Sequence, residues 1–485
     1  MKQLRSYLIV ILFLSMQNVW ADEPIRMRSC RVGQSNQQND VPRRAPADLG
    51  DENPFIGVRH QLVVLVSFAD MQMKDADPLS LWYRIFNEPG FNENSFKGSV
   101  HDYFYEQSYG KFDLTFDLQY IQLSEERVKY RSTAFDDENS KYLVNDIVDT
   151  LLKRGIDWAP YAWNEKGIVN QLLIVYAGKG QNAGGGTNSI WPHQWWLSKH
   201  DGCEARTFTQ HDKEYVVDCY CCVSELYSNN TYGTFGTICH EYSHCFGLPD
   251  LYYGTTSYVK DWDLMDYGNN NGNGFQPCGY SAHEKMFMGW LKPTELKDPV
   301  KINNMGALAN TQEAYIIYSD GDPHEYYIVE NRQPIGWDES LPGCGILVFH
   351  VTYDEDIWYG NVNDIVNSSK MKRYYIFPAN GSFSVSDVAG WAYPYEGNHE
   401  LTDSSDPIAV TYSDNKKGEK LMSKPLTNME VSNGIANFNF MHTEPSSIQI
   451  IAPSAEDYTH LYQFGPVSVV RTASGDVKKI IISKK

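Results

Sequence analysis

The chain has 485 residues, of which 42% are hydrophobic and 14% aromatic, with 33 tyrosines. That length accommodates two or three domains, and the composition is that of a globular, β-rich chain and excludes a disordered one. A formal net charge of −20 excludes the basic face that a nucleic-acid-binding protein needs and suits a soluble extracellular protein, with calcium a candidate counter-ion.

Lys2 and Arg5 precede the apolar run "LIVILFLSM", and Val19 and Ala21 stand where a signal peptidase cut before Asp22 requires small residues. Residues 1–21 therefore read as a secretory signal, too short for a comfortable transmembrane span. No later segment is apolar enough for a stable membrane span, and the location implied is secreted or cell surface. Residues 22–57 are polar and turn-rich and read as a linker or propeptide. "QLVVLVSFAD" (61–70) is a continuous apolar run, hence a buried strand. In "SVHDYFYEQSYGKFDLTFDLQYIQL" the first half predicts a helix ending near Gly110 and the second half alternates as a strand. "KYLVNDIVDTLLKRG" (141–155) has apolar residues at helical spacing and a Lys-Arg-Gly stop. "IVNQLLIVYAG" (168–178) predicts another buried strand, running into a glycine-rich loop.

From about residue 296 short strand-like runs alternate with turns: "EAYIIYSD", "EYYIVENRQ", "GILVFHV", "RYYIFPANG" and "NGIANFNFMH". They predict a β-sandwich-like domain over 296–445, and 446–485 holds two or three more strands of a small C-terminal β module. The end, "GPVSVVRTASGDVKKIIISKK", resembles the last strands of the sorting tails used in type IX secretion; a plain accessory β-module is the other reading.

The chemistry concentrates in "TICHEYSHCFGLPDLYYG" (237–254). Residues four apart share a helix face, so His240 and His244 can bind one ion, with Glu241 beside them. Zinc lowers the pKa of a bound water to about 7, and Glu241 can take the proton as that water attacks a peptide carbonyl. Three fixed residues at this spacing arise by chance in about one chain in a hundred of this length, and the later glycine and aspartate make the pattern about a hundred times rarer. Gly247 can end the helix in a left-handed conformation, which lets Asp250 turn back toward the same ion. "WDLMDYG" places Met265 in a turn beneath such a site.

The pattern His-Glu-x-x-His-x-x-Gly-x-x-Asp followed by a methionine turn resembles the metzincins, and within them the immune inhibitor A family of secreted metallopeptidases. "VVLVSFAD", "SVHDYFYEQSYGK", "IWPHQWW", "SAHEKMFMGWLKP", "EYYIVENRQPIGWDESLPGCGILVFHV" and "YYIFPANG" are similar to segments of that family in the same order. The resemblance implies an α+β fold: a metzincin-like catalytic domain over 58–295, a twisted sheet plus the active-site helix, ahead of the β-rich domain. It implies a zinc endopeptidase acting on proteins or peptides, with His240, His244 and Asp250 as ligands and Glu241 as general base. Tyr267, two residues after the methionine, matches a tyrosine that binds zinc or steadies the tetrahedral intermediate in some other metzincins; a packed tyrosine is the alternative. Glu284 rivals Asp250 as third ligand, since thermolysin-like enzymes take a glutamate from a second helix. His193 reads as structural or part of the substrate cleft, and His350 as structural.

Nine cysteines in an exported chain suggest one or two disulfides within 203–222, of open connectivity. Cys239 and Cys245 are core thiols, or one of them pairs with Cys278. Cys30 is a candidate latency switch, released by a cut near Arg43-Arg44, with Asp40 or Asp48 as alternative blocking groups. The clusters "SDGD" and "YDEDIWYGNVND" admit structural calcium but match no EF-hand loop. Two other functions fit the composition: an inactive protease fold serving as a surface binding or adhesive module, and a glycan-directed module built on the 12 tryptophans and many tyrosines.

Overall fold

The apolar run 61–67 is buried at every position, in a strand paired on both edges with parallel neighbours, as expected of a central strand in a sheet covered on its faces. The structure is a computed structural model that describes residues 45–133, 137–254, 256–358, 362–363, 371–442, 458–464, 467–472 and 477–481. The signal segment, Cys30, Asp40 and Arg43-Arg44 lie outside the described residues.

The protein is a mixed α+β structure with several sheets. Its first sheet uses β1 (Gly57–Ser67), β2 (Phe112–Gln122), β3 (Leu172–Lys179), β4 (His193–Trp196) and, after the hairpin β5 (Arg206–Gln210) and β6 (Lys213–Val217), β7 (Cys219–Leu226). The spatial order is β2-β1-β3-β7-β4, parallel throughout except for the antiparallel edge strand β4. Helix α1 (Pro78–Asn87) starts on the Asp77 N-cap with Pro78 in its first turn, and α2 (Val100–Gln107) on a Ser99/Asp102 capping box. Helix α3 (Ser140–Arg154) buries Leu143, Val144, Ile147, Val148 and Leu151 at helical spacing and ends at Gly155 with φ 66°. The helix carrying the two histidines is α4 (Phe235–Ser243), and α5 (Ala282–Phe287) follows it.

After the short pair β8 (Tyr252–Tyr253) and β9 (Thr256–Ser257), a second sheet takes the order β10-β12-β13-β14-β15, from β10 (Thr294–Glu295), β12 (Tyr315–Tyr318), β13 (Glu325–Arg332), β14 (Gly345–Thr352) and β15 (Tyr374–Ile376). A third sheet pairs β11 (Val300–Met305), β17 (Ile435–Phe440) and β16 (Leu426–Ser432). The alternation of strand side chains gives the second sheet two buried faces. Ile328, Leu347, Phe349 and Val351 join one core with the helices and strands of the first sheet. Val329, Ile346 and Val348 join another with Phe438 and Phe440 of the third sheet. The core thus runs without a break across residue 296, where the strand texture of the sequence changes. A last antiparallel sheet holds β18 (Tyr458–Phe464), β19 (Val467–Thr472) and β20 (Val477–Ile481).

The described part of the polar N-terminal segment is docked on this core. Asn53 Nδ2 donates to the Met288 carbonyl at 2.9 Å, and Trp290 Nε1 donates to the Phe55 carbonyl at 2.9 Å. The Phe55 ring is fully buried and lies 4.7 Å from Phe246, two residues beyond His244. Phe55→Ala is therefore expected to cost about 3–5 kcal/mol, read as a lower midpoint in denaturant unfolding. A change under about 1 kcal/mol would mean the strap is only laid on the surface.

The expected disulfides are absent among the described residues, where all eight cysteines are free thiols. Cys219, Cys221 and Cys222 share strand β7, whose neighbouring side chains point to opposite faces. Cys222 Sγ instead lies 3.4 Å from His193 Nδ1, and Cys203 Sγ 3.8 Å from Asn145 Nδ2 of α3. Cys239 and Cys278 are both fully buried, unpaired thiols.

Candidate metal centre

Helix α4 is buried along its whole length, so its polar face must find partners inside the protein. Tyr242 OH donates to Gln61 Oε1 of β1 at 2.9 Å, which ties the helix to the first sheet. A Cβ on Gly236 would sit 1.8 Å from the Asn269 carbonyl, so glycine is what allows the helix to touch the segment 267–274. His244 opens a 3-10 turn, and Gly247 closes it at φ 89°, ψ 14°. That left-handed residue returns the chain so that Asp250 faces the helix.

The result is a buried group of three. His240, His244 and Asp250 each offer a ligand atom, all within 4.8 Å of one another. Asp250 Oδ1 stands 3.1 Å from His240 Nε2 and 3.5 Å from His244 Nε2. Tetrahedral ligands at about 2.0–2.1 Å from a zinc ion are about 3.3 Å apart, so this spacing fits one ion. Each imidazole is oriented from behind: His240 Nδ1 donates to the Leu264 carbonyl at 2.9 Å and His244 Nδ1 to the Leu248 carbonyl at 2.8 Å. Both Nε2 atoms are thereby presented to Asp250 as lone-pair donors for a metal.

Electrostatics point the same way. His244 Nε2 and both Asp250 oxygens are buried without a hydrogen bond of good geometry, a cost that coordination would offset. Burial by itself would lower the His240 imidazole, but Asp250 at 3.1 Å and the Glu241 charge outweigh it and raise the pKa to about 9. Burial, reinforced by the neighbouring His240, pushes His244 down to about 4. A divalent cation between these groups would supply the positive charge that Asp250 and Glu241 favour at His240. Glu241 lies one position from the first histidine, its Oε2 4.0 Å from His244 Nε2.

The turn 263–266 links the two halves of the site. Leu264 holds His240, and the carbonyl of the buried Met265 accepts the Leu251 N–H at 2.9 Å, next to Asp250. Tyr267 is half-buried. Its ring stacks on Tyr252 at 6.2 Å, and Tyr252 in turn stacks on His240 at 6.5 Å. Tyr252 thus stands between Tyr267 and the imidazole, a placement that the sequence did not signal. Burial raises the Tyr267 phenol.

Glu284 is not in the group. Its Oε2 accepts the Ser281 N–H at 2.8 Å and Ser281 Oγ at 3.1 Å in the capping box of α5. His193 is buried, with Nδ1 on the Trp191 carbonyl at 2.7 Å and Nε2 on Tyr220 OH at 3.0 Å. His350 pairs with Glu325 at 2.7 Å in the second sheet. Asp48 is exposed in the turn Pro46–Glu52. Asp320 of "SDGD" is held by Lys424 at 2.8 Å, and among the described residues no acidic cluster gathers three converging carboxylates.

A mixed sheet backing a buried His-Glu-x-x-His helix, with an aspartate returned onto both histidines, describes the class of metallopeptidase domains. Residues 60–291, just under half of the chain, match the family described as "Immune inhibitor A peptidase M6, catalytic domain". Over 275 residues it is 26% identical to "Immune inhibitor A" of Bacillus thuringiensis subsp. alesti, which covers 47% of this chain and 39% of the relative. Over 179 residues it is 26% identical to "Pre-pro-metalloprotease PrtV" of Vibrio cholerae serotype O1, 32% of this chain and 19% of the relative. The chain therefore spans less than half the length of these curated relatives. No helix among the described residues is long and apolar enough to cross a membrane.

Proposed function

We propose that this protein is a secreted zinc-dependent endopeptidase of metzincin arrangement, with His240, His244 and Asp250 as metal ligands and Glu241 as general base. The observation that carries the reading is the convergence of three buried ligand atoms with a carboxylate on the same helical turn. Bound zinc supplies Lewis acidity, which makes a water nucleophilic at neutral pH and polarises the scissile carbonyl. The Glu241 carboxylate receives the proton of the attacking water and delivers it to the departing amine. The Leu264 and Leu248 carbonyls keep both imidazoles in the tautomer that leaves Nε2 free. Tyr267 is placed to contribute to the oxyanion side only if Tyr252 moves aside, so it is the least committed member of the set. We propose residues 58–295 as the catalytic unit, 296–445 as a β-sandwich-like unit that buttresses it, and 446–485 as a terminal module.

Purified protein should carry about one zinc per chain and cleave casein. A chelator should stop cleavage, and stoichiometric zinc should restore it. Metal-free protein with full caseinolytic activity would sink the proposal. Protein that binds zinc yet cleaves no peptide library would favour a binding module that keeps the fold.

A further inference from the structure

Behind His240 lies a buried ring of polar side chains that no ligand role requires. Asp263 organises the turn carrying Leu264: its Oδ1 accepts the Met265 N–H at 2.9 Å, and its carbonyl accepts from Asp266 at 3.2 Å and Gly268 at 3.0 Å. The Asp263 side chain is fully buried beside the carboxyl of Glu284, whose Oε1 has no N–H or O–H partner. Ser281 Oγ, which contacts Glu284, lies 2.7 Å from Tyr374 OH, and Tyr374 OH reaches Asp263 Oδ2 at 3.5 Å. The ring is closed by a residue of β15, so the second sheet takes part in it.

Two carboxyls in contact inside a protein must share a proton, since both cannot be ionised. Arg332 offsets only part of the burial cost at Asp263. Arg332 is committed to Asp338 at 2.6 Å and Glu330 at 3.2 Å, and Lys285 Nζ donates to the Gln107 carbonyl at 2.7 Å. Burial pushes both carboxyls up, Glu284 to about 7. The frame around the pair is rigid: Glu330 Oε2 accepts the Ala282 N–H at 2.6 Å at the start of α5, and Arg332 donates to the Trp262 carbonyl at 3.3 Å, just ahead of the turn.

We propose that Asp263 and Glu284 form an acid–carboxylate pair that positions His240, by clamping the 263–266 turn whose Leu264 carbonyl holds the imidazole Nδ1–H. The inference rests on the reading that His240, His244 and Asp250 hold a divalent metal. Glu284 then acts from outside the coordination sphere, as a positioning residue, and the second sheet contributes through Tyr374, Glu330 and Arg332.

The test is zinc affinity of the full chain by chelator competition, together with the visible spectrum of the cobalt(II)-substituted protein. Asp263→Ala should weaken zinc binding about 10–100-fold, the range of an outer-shell partner, and alter the cobalt bands. Glu284→Ala should do the same. Glu284→Gln should stay within about threefold of the unmodified protein, because the amide N–H replaces the shared proton and the amide oxygen still accepts from Ser281. Folded Asp263→Ala with unchanged zinc affinity and cobalt spectrum would overturn the pair. So would a Glu284→Gln loss as deep as that of Glu284→Ala. If Asp263→Ala does not fold, the comparison of the two Glu284 variants decides. Failure of the unmodified protein to bind zinc at all would instead remove the metal-centre reading itself.

Discussion

Glu241→Ala is expected to abolish detectable caseinolysis, a loss of about 10²- to 10⁴-fold in rate, while zinc content and fold stay as they are. Glu241 is separate from the three atoms that converge on a common point, so its removal leaves the ligand set and the two carbonyl hydrogen bonds untouched. What disappears is the carboxylate proposed to receive the proton at the moment of attack. Metal analysis, circular dichroism and a casein assay on one preparation give the result. A zinc-loaded, folded Glu241→Ala protein that hydrolyses casein at near the unmodified rate would remove Glu241 from the chemistry.

Asp250→Ala should lose the metal. The carboxylate is the only negative group of the three, it is 2% exposed, and it lies within 3.5 Å of both imidazoles. Its removal would delete one of the three proposed protein ligands and leave two buried imidazoles. The loss of zinc affinity should therefore exceed the 10- to 100-fold typical of outer-shell changes. Asp250→His should recover much of it, because imidazole also suits tetrahedral zinc. Glu284→Ala provides the contrast: its loss should fall within that outer-shell range, with a smaller effect on occupancy at saturating zinc. Folded Asp250→Ala retaining full zinc after dialysis would overturn the assignment of the third ligand.

The two outcomes bear on how the second sheet should be regarded. Its strands read in sequence as the start of a separate β-rich unit. In the structure β13 alternates between two cores, with Ile328 in one and Val329 in the other, and its Glu330 and Arg332 reach the segments that flank the methionine turn. A truncation before residue 296 would expose that face and remove the Tyr374 hydroxyl. It is thus a poor way to isolate a catalytic unit.

Local sequence was enough to specify α4 and the positions of His240, Glu241 and His244 on it, because helical periodicity places residues four apart on one face whatever the rest of the chain does. It was enough for Gly247 as well, since a left-handed residue after a helix is a local steric requirement, met here at φ 89°. The buried strands at 61–67 and 172–178 were legible for the same reason. Which carboxylate stands beside the two imidazoles was legible only in part: the Gly247 turn favoured Asp250, while Glu284 stayed a rival. Asp250 and Glu284 each lie on a segment that could approach the helix, and only the hydrogen bond from Leu251 to the Met265 carbonyl and the capping box of α5 separate them. The partners of the imidazole Nδ1 atoms were hidden too, because they are backbone carbonyls of Leu264 and Leu248 and carry no sequence signal. Cysteine spacing suggested pairing where β7 sends adjacent thiols to opposite faces. Phe55, in a polar and turn-rich stretch, gave no hint that its ring closes the core behind Phe246. Contacts between residues far apart in the chain depend on how every element packs at once, and a pattern read along the chain carries only the part that near neighbours determine.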